Sequence, residues 1–225
     1  MESIAGIGAS IGLAYALGGF PTGLVLGRWL FGIDVREHGS GNIGSTNVLR
    51  TLGWQWGLVV QAVDVLKGVL AVTLLPALLA PNPAFGLERL HVQVLTGIAA
   101  VAGHCWSPWA GFRGGKGVNT AAGVLGVLAP VELAVGLGAF IVFLAASGYV
   151  SAGSLAAAVA VPIAVAARLG WEPAVSSPLF WGAVAIAGIV ILRHRPNIER
   201  ILKGSEYRFD AVWLLGRWQQ RQRSK

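Results

Sequence analysis

The chain has 225 residues, of which 55% are hydrophobic and only 12% charged, with a formal net charge of +7 and a mean hydropathy of +0.66. A soluble domain carries about 25% charged residues, so the composition excludes an ordinary soluble fold and leaves no room for a separate aqueous domain. The single cysteine, Cys105, excludes an intrachain disulfide and a cysteine-based metal cluster and reads as a small buried thiol.

A bilayer crossing needs about 20 mostly apolar residues, and stretches of that kind follow one another along the chain. Ser3–Phe31 is the first span, without the basic leader of a cleavable signal. Gly19, Gly23 and Gly27, four apart, are expected on one helix face, where backbones approach closely. Gly53–Ala80 is the second span. Asp64 and Lys67 lie within it at i and i+3, close enough to pair. Pro81–Leu90 is a polar loop, and His91–Pro108 is the third span. Gly117–Ser147 is too long for one crossing and carries Pro130 and Glu132, so it is expected to be a tight hairpin of two short helices meeting near Ala129–Glu132. Gly148–Ser151 is a turn, Ala152–Leu169 the sixth span, Gly170–Pro178 a turn, and Leu179–Leu192 the seventh span. The expected fold is all-α and polytopic, with seven transmembrane helices, the central two short. Residues 1–209 form one catalytic domain and residues 210–225 a basic tail against the lipid surface.

With seven spans, all but Arg89, Arg168 and Lys67 of the 17 Lys and Arg fall on one side together with the C-terminus. The positive-inside rule makes that side cytoplasmic and the N-terminus external. The basic residues cluster at span ends, so topology and anionic lipid or substrate account for them; no nucleic acid is implied.

Three polar segments sit at span ends on that side. The first runs from Gly39 to Arg50. Its glycines Gly39, Gly41 and Gly44 let backbone approach a ligand, Ser40, Asn42, Ser45, Thr46 and Asn47 add short polar groups, and Arg50 adds a planar fork suited to phosphate. The second, Gly111–Gly117, sets exposed amides and Lys116 at the start of the next helix, an anion site in its physics. It is not a Walker motif, since Ala110 replaces the leading glycine and Gly117 the Ser or Thr after the lysine. The third, Arg193–Asn197, offers His194 and Asn197 three residues apart. Basic residues flank span ends routinely, so Arg193 and Arg195 alone carry little. His104 near the end of the third span and Ser151 in the turn share the same side. No grouping has metal-ligand spacing, and no serine, histidine and carboxylate set accompanies an elbow motif. What remains is electrostatic stabilisation and positioning of phosphate groups, with no cofactor.

Taken together, Gly39-Ser40-Gly41-Asn42 through Asn47 and Arg50, Asp64-Val65-Leu66-Lys67-Gly68, Gly103-His104, Phe112 with Gly114-Gly115-Lys116-Gly117-Val118, and His194, Asn197 and Glu206 resemble the bacterial acyl-phosphate:glycerol-3-phosphate acyltransferases over nearly the whole chain. The resemblance implies a seven-helix enzyme of the bacterial inner membrane with its site on the cytoplasmic side. Its partners would be glycerol 3-phosphate, acyl phosphate, membrane lipid and the enzyme that makes acyl phosphate. It implies acyl transfer from acyl phosphate to the sn-1 hydroxyl of glycerol 3-phosphate, giving 1-acyl-glycerol 3-phosphate and phosphate, the first committed acylation of phospholipid synthesis.

Carried onto matching positions, Arg50, Lys116, His194 and Asn197 are the expected catalytic residues. Ser40, Gly41, Asn42, Thr46, His104, Gly115, Ser151 and Glu206 are the expected substrate-binding residues. The chain departs from the family pattern at Asn119, where a small alanine is expected, and at Gly148-Tyr149, where many members carry an arginine. Two other readings use similar residues. A lipid-phosphate phosphatase or transferase needs a nucleophilic histidine oriented by a carboxylate, and neither His104 nor His194 has an obvious one. An anion transporter needs polarity through the bilayer, whereas here only Asp64, Lys67 and Glu132 approach the interior.

Overall fold

Proline and glycine decide where the helices break, and the breaks set the architecture. The computed structural model describes residues 2–81 and 87–208, in which every regular element is helical. The basic tail from Asp210 onward and residues 82–86 of the polar loop lie outside the described residues.

Pro21 has no N–H to give a helix. Helix α1 (Glu2–Gly19) therefore stops before it, and α2 (Thr22–Phe31) resumes at an angle of 40°. The Phe20 carbonyl at the break accepts a hydrogen bond from Lys67 Nζ at 2.7 Å. The break also divides the expected glycine face. Gly19 closes α1 against Pro108, while Gly23 and Gly27 lie on α2 against Ile43 and Val35. All three allow close packing, but two elements present them instead of one.

After Gly32, in the left-handed region at φ 67, an irregular loop leads to α3 (Ser45–Leu52) and then α4 (Trp54–Leu79). Helix α5 (Arg89–Cys105) begins at a capping box in which Glu88 and His91 serve each other's backbone. Gly117, at φ 81, opens α6 (Val118–Leu128), and a single residue, Ala129, separates it from α7 (Pro130–Ser147). The hairpin is present, with its break where Pro130 foretells. It is uneven: α6 has 11 residues and α7 has 18. Only one central helix is short, because Pro130 lies much nearer Gly117 than Gly148. Gly148, at φ 73, ends α7 and leads into α8 (Val150–Leu169). The following stretch, expected as a turn, contains the short helix α9 (Trp171–Val175). Helix α10 (Pro178–Arg193) then bends by 55° into α11 (Arg195–Leu202).

Small residues let the backbones touch. A Cβ on Gly18 or Gly103 would strike the facing helix where α1 meets α5, as would one on Gly68 or Gly123 where α4 meets α6. In lipid such packing replaces the hydrophobic drive between helices. Val72, Val101, Val124 and Val190 fill the space between α4, α5, α6 and α10. Leu125, Val161, Val165 and Phe180 fill a second cluster. Conversely Ile141, Val142 and Ile163 on α7 and α8 are more than 60% exposed, as a face turned to hydrocarbon requires. Glu132, in the first turn of α7, is buried and paired with Arg168 in the last turn of α8, which ties these helices at the end opposite Ser151.

By length and composition α4, α7 and α8 each suffice to cross a membrane, and the bent pairs α1–α2 and α10–α11 bring the number to five. Helices α5 and α6, with 17 and 11 residues, fall short of that length, so the expected count of seven goes beyond what length and composition give.

Candidate active site

The first polar loop is built around Asn47. Its side chain is 1% exposed. Nδ2 donates to the carbonyls of Asn42 at 2.8 Å, Val35 at 2.9 Å and His38 at 3.1 Å, and Oδ1 accepts the Ser40 N–H at 2.8 Å. Asn42 Oδ1 in turn accepts the Gly44 N–H. At the loop's entry Asp34 holds Arg36 and Arg28, at 2.7 and 2.9 Å. The Arg36 hydrogen bond foremost keeps that carboxyl well below the usual carboxylate range, against the opposing effect of burial. Asn47 thus shapes the loop from within, and Arg50 projects from α3 that follows.

The loop closes one wall of a cavity of about 180 Å³. Ser40, Asn42, Thr46 and Arg50 reach it from the first loop, His104 from α5, Lys116 from the second, Ser151 from α8, His194 and Asn197 from the third, and Glu206 from beyond α11. Ten of the twelve expected site residues therefore meet in one place. Because the start of α6 and Phe140, Val150 and Ser151 line the same cavity, α6 and α7 must run out and back, so all three polar segments share one end of the bundle.

Gly41 and Gly115 do not line the cavity. Gly41 makes a left-handed turn at φ 71 and faces an outer cleft. Gly115 lies against the His104 ring so closely that a Cβ there would strike Nε2. Each glycine makes room for a neighbour, Gly41 for the Arg36 carbonyl and Gly115 for the His104 ring.

Two carboxylates line the cavity, Asp64 and Glu206, and Glu206 gathers three donors. Oε1 accepts from Asn197 Nδ2 at 2.6 Å and Ser151 Oγ at 2.9 Å, and Oε2 from Arg200 Nε at 2.6 Å. Burial works to raise its pKa, but these three bonds prevail and hold it below the ordinary value. These bonds fix Asn197, Ser151 and Arg200 around one carboxylate. A carboxylate only accepts, so the Asn197 amide has one orientation, and its buried Oδ1 is left with no donor among the described residues. His194 is held in the same way. Its Nδ1 lies 2.7 Å from the Val190 carbonyl, so Nδ1 carries the proton and Nε2 is left an acceptor. His194 stands past the end of α10. Burial first, and then Lys116 nearby, lower its pKa.

Arg50 and Lys116 have no carboxylate within ion-pair distance among the described residues. Burial lowers the pKa of Arg50. Burial also lowers that of Lys116, to about 8, with Arg200, Arg50 and Arg193 adding to the effect and Glu206 opposing it. A cavity so crowded with positive charge favours an anion.

Asp64, which also lines the cavity, pairs with Lys67 as expected, at 2.6 Å, both nearly inaccessible. Asp64 also stands 3.8 Å from His104 Nδ1, a carboxylate neighbour that sequence left unseen. That distance exceeds a hydrogen bond, and Asp64 is already engaged by Lys67.

Three polar cavity residues, Gln61, Tyr207 and Ser154, escaped the sequence reading, which names Asn119 only as a departure from the family pattern. Gln61 and Tyr207 line the wall, and Asn119 Nδ2 donates to Ser45 Oγ at 2.9 Å. Tyr207 lies under the Arg50 guanidinium, 5.3 Å from the ring centre. Ser154, the third, stands where the cavity meets an apolar groove of about 80 Å³ between α6, α7, α8 and α10. Val118, Phe140 and Ser154 belong to both. At the turn without its expected arginine, Arg208 arrives from the chain's later part and lies over Tyr149 at 5.6 Å.

A sequence model described as glycerol-3-phosphate acyltransferase matches residues 9–204. A glycerol-3-phosphate acyltransferase of Desulforudis audaxviator is 46% identical over 200 residues, covering 88% of this chain and 93% of the relative. One of Chlorobaculum tepidum is 40% identical over 222 residues, covering 89% and 95%. Among solved structures the chain is similar to PlsY, an integral membrane glycerol 3-phosphate acyltransferase, in its glycerol 3-phosphate form. That match has a TM-score of 0.80 and 33% identity, covering 93% of this chain and 98% of the other.

Proposed function

The chain belongs to the glycerol-3-phosphate acyltransferase family of integral membrane proteins, and from that premise we propose that it moves a fatty acyl group from acyl phosphate to the sn-1 hydroxyl of glycerol 3-phosphate. The products are 1-acyl-glycerol 3-phosphate and inorganic phosphate. The observation that carries the reading is the junction at Val118, Phe140 and Ser154, where a cationic cavity adjoins an apolar groove. A donor with a phosphate head and an acyl tail matches both halves and puts its carbonyl at the join.

The hydroxyl oxygen attacks the acyl carbonyl carbon, a carbon–oxygen bond forms, and the bond to phosphate breaks. No acyl-enzyme is needed, because phosphate is already a good leaving group. Arg50 and Lys116 hold the phosphate charge as it develops. Asn197, whose Nδ2 is committed to Glu206, lines the cavity beside these cations and orders the wall where the acceptor binds. The hydroxyl proton goes to a phosphate oxygen. His194 Nε2 competes for it, but an imidazolium there would be buried beside Lys116, with no carboxylate bonded to its Nδ1. That same lack of a bonded carboxylate disfavours a phosphohistidine route.

In this reading the chain crosses the membrane seven times, with α5 and α6 as the shorter crossings. The N-terminus is external and the cavity lies at the cytoplasmic end of a bacterial inner membrane, where the cationic loops belong. The enzyme that makes acyl phosphate is its donor partner. Purified protein should release phosphate from palmitoyl phosphate only when glycerol 3-phosphate is present. Release regardless of acceptor means hydrolysis, and no release with either refutes the reading.

A further inference from the structure

Arg193 follows the apolar run of α10 and looks like an ordinary basic flank, yet its side chain reaches the second polar loop. Nε donates to the Gly115 carbonyl at 3.1 Å and Nη2 to the Gly114 carbonyl at 3.2 Å. The guanidinium lies over the Trp106 ring, 5.7 Å from its centre. Arg193 lines the outer cleft, of about 860 Å³, and not the cavity.

The consequence concerns the peptide between Gly115 and Lys116. The two preceding amides are fixed by α5, since Gly114 N–H donates to the Cys105 carbonyl and Gly115 N–H to the His104 carbonyl. Among the described residues the Gly115 carbonyl has Arg193 alone. A peptide unit is planar and trans, so its C=O and N–H point in opposite directions. With the carbonyl turned outward to Arg193, the Lys116 N–H turns the other way. It has no acceptor among the described residues, and Lys116 and Gly117 both line the cavity. A glycine pair leaves this peptide free to take either orientation, so a specific contact has to choose.

We propose that Arg193 is a positioning residue whose fork sets the Gly115–Lys116 peptide so that the Lys116 N–H joins Lys116 Nζ in binding a substrate phosphate. The inference rests on the reading of the cavity as a phosphate site. Arginine suits the task because its planar fork reaches two adjacent carbonyls at once and stacks on Trp106, which an ammonium cannot reproduce.

Arg193→Gln and Arg193→Lys test it, with kcat and KM for glycerol 3-phosphate measured beside the thermal stabilisation given by inorganic phosphate. Both variants should lose about 100-fold in kcat/KM, the effect of charge-assisted bonds placed on a catalytic donor, and both should lose most of the stabilisation by phosphate. Rescue by lysine to within about threefold would show that charge alone matters and overturn the proposal. So would a loss of activity that merely tracks loss of folded protein while phosphate still stabilises the folded remainder. A wild-type protein stabilised by phosphate through Arg193 but unable to acylate glycerol 3-phosphate would leave the positioning role standing and sink the proposed reaction instead.

Discussion

Lys116→Ala removes one positive charge from a cavity that holds its cations in excess. At about 4 Å from a phosphate oxygen and an effective dielectric of about 20, a unit charge contributes about 4 kcal/mol. Loss of a preorganised donor to a developing anion costs about 100- to 1,000-fold in rate, which agrees with that figure after partial screening. The pH dependence sharpens the test. A lysine whose pKa is lowered to about 8 is charged below that pH and neutral above it. The kcat/KM of the free enzyme should therefore be level up to about pH 8 and fall about tenfold per unit beyond. Bound phosphate favours the charged form, so kcat at saturation should hold to higher pH. Lys116→Arg stays charged throughout and should move the falling limb out of range. Steady-state phosphate release by purified enzyme between pH 6 and pH 10 measures all three. Turnover of Lys116→Ala within about threefold of wild type, or a limb still near pH 8 in Lys116→Arg, would refute the assignment.

Asn47→Ala strips hydrogen bonds from three carbonyls and the Ser40 N–H in a buried loop, at about 1–3 kcal/mol for each group left unsatisfied. The thermal midpoint should drop and KM for glycerol 3-phosphate should rise. Asn47→Asp should fail as well, since a carboxylate cannot donate. Ala187→Phe plugs the apolar groove, so transfer from palmitoyl phosphate should fall about tenfold or more while a four-carbon acyl phosphate is spared; equal losses for both donors would remove the groove from the mechanism. His194→Gln should keep kcat within about tenfold if phosphate takes the proton, whereas a loss of about 100-fold or more at unchanged KM assigns the proton to His194.

What sequence could and could not disclose follows from the range of each interaction. The three polar segments were legible because five small polar residues and Arg50 within one loop exceed what a membrane turn requires. The break at Ala129 was legible from Pro130. Pro21 carries the same signal, but the apolar run continues past it and masks the break, and with it the division of Gly19 from Gly23 and Gly27. Partners distant along the chain left no trace. Nothing local says that Glu206 holds Ser151 and Asn197, that Arg193 grips Gly114 and Gly115, or that Arg208 covers the turn at Tyr149. Asn47 was visible as one more polar residue of the loop, but its function as the loop's hub appears only when four backbone groups converge on it.

The uneven hairpin explains how a charged site and an acyl chain can meet at all. Val118 at the start of α6 shares both cavity and groove with Phe140, which lies seven residues before the end of α7 at Ser147. At 1.5 Å per residue, α6 therefore begins about 10 Å along α7 from its polar end. A short α6 sets Lys116 back into the bundle and lets the polar cavity reach down to apolar walls that a full-length helix would have kept apart from it. The cations brought to that depth lack a full set of carboxylates, since Glu206 is spent on Asn197, Ser151 and Arg200. The missing negative charge is what a phosphorylated substrate supplies. A site that balanced its own charges at that depth would have no electrostatic reason to draw phosphate away from water.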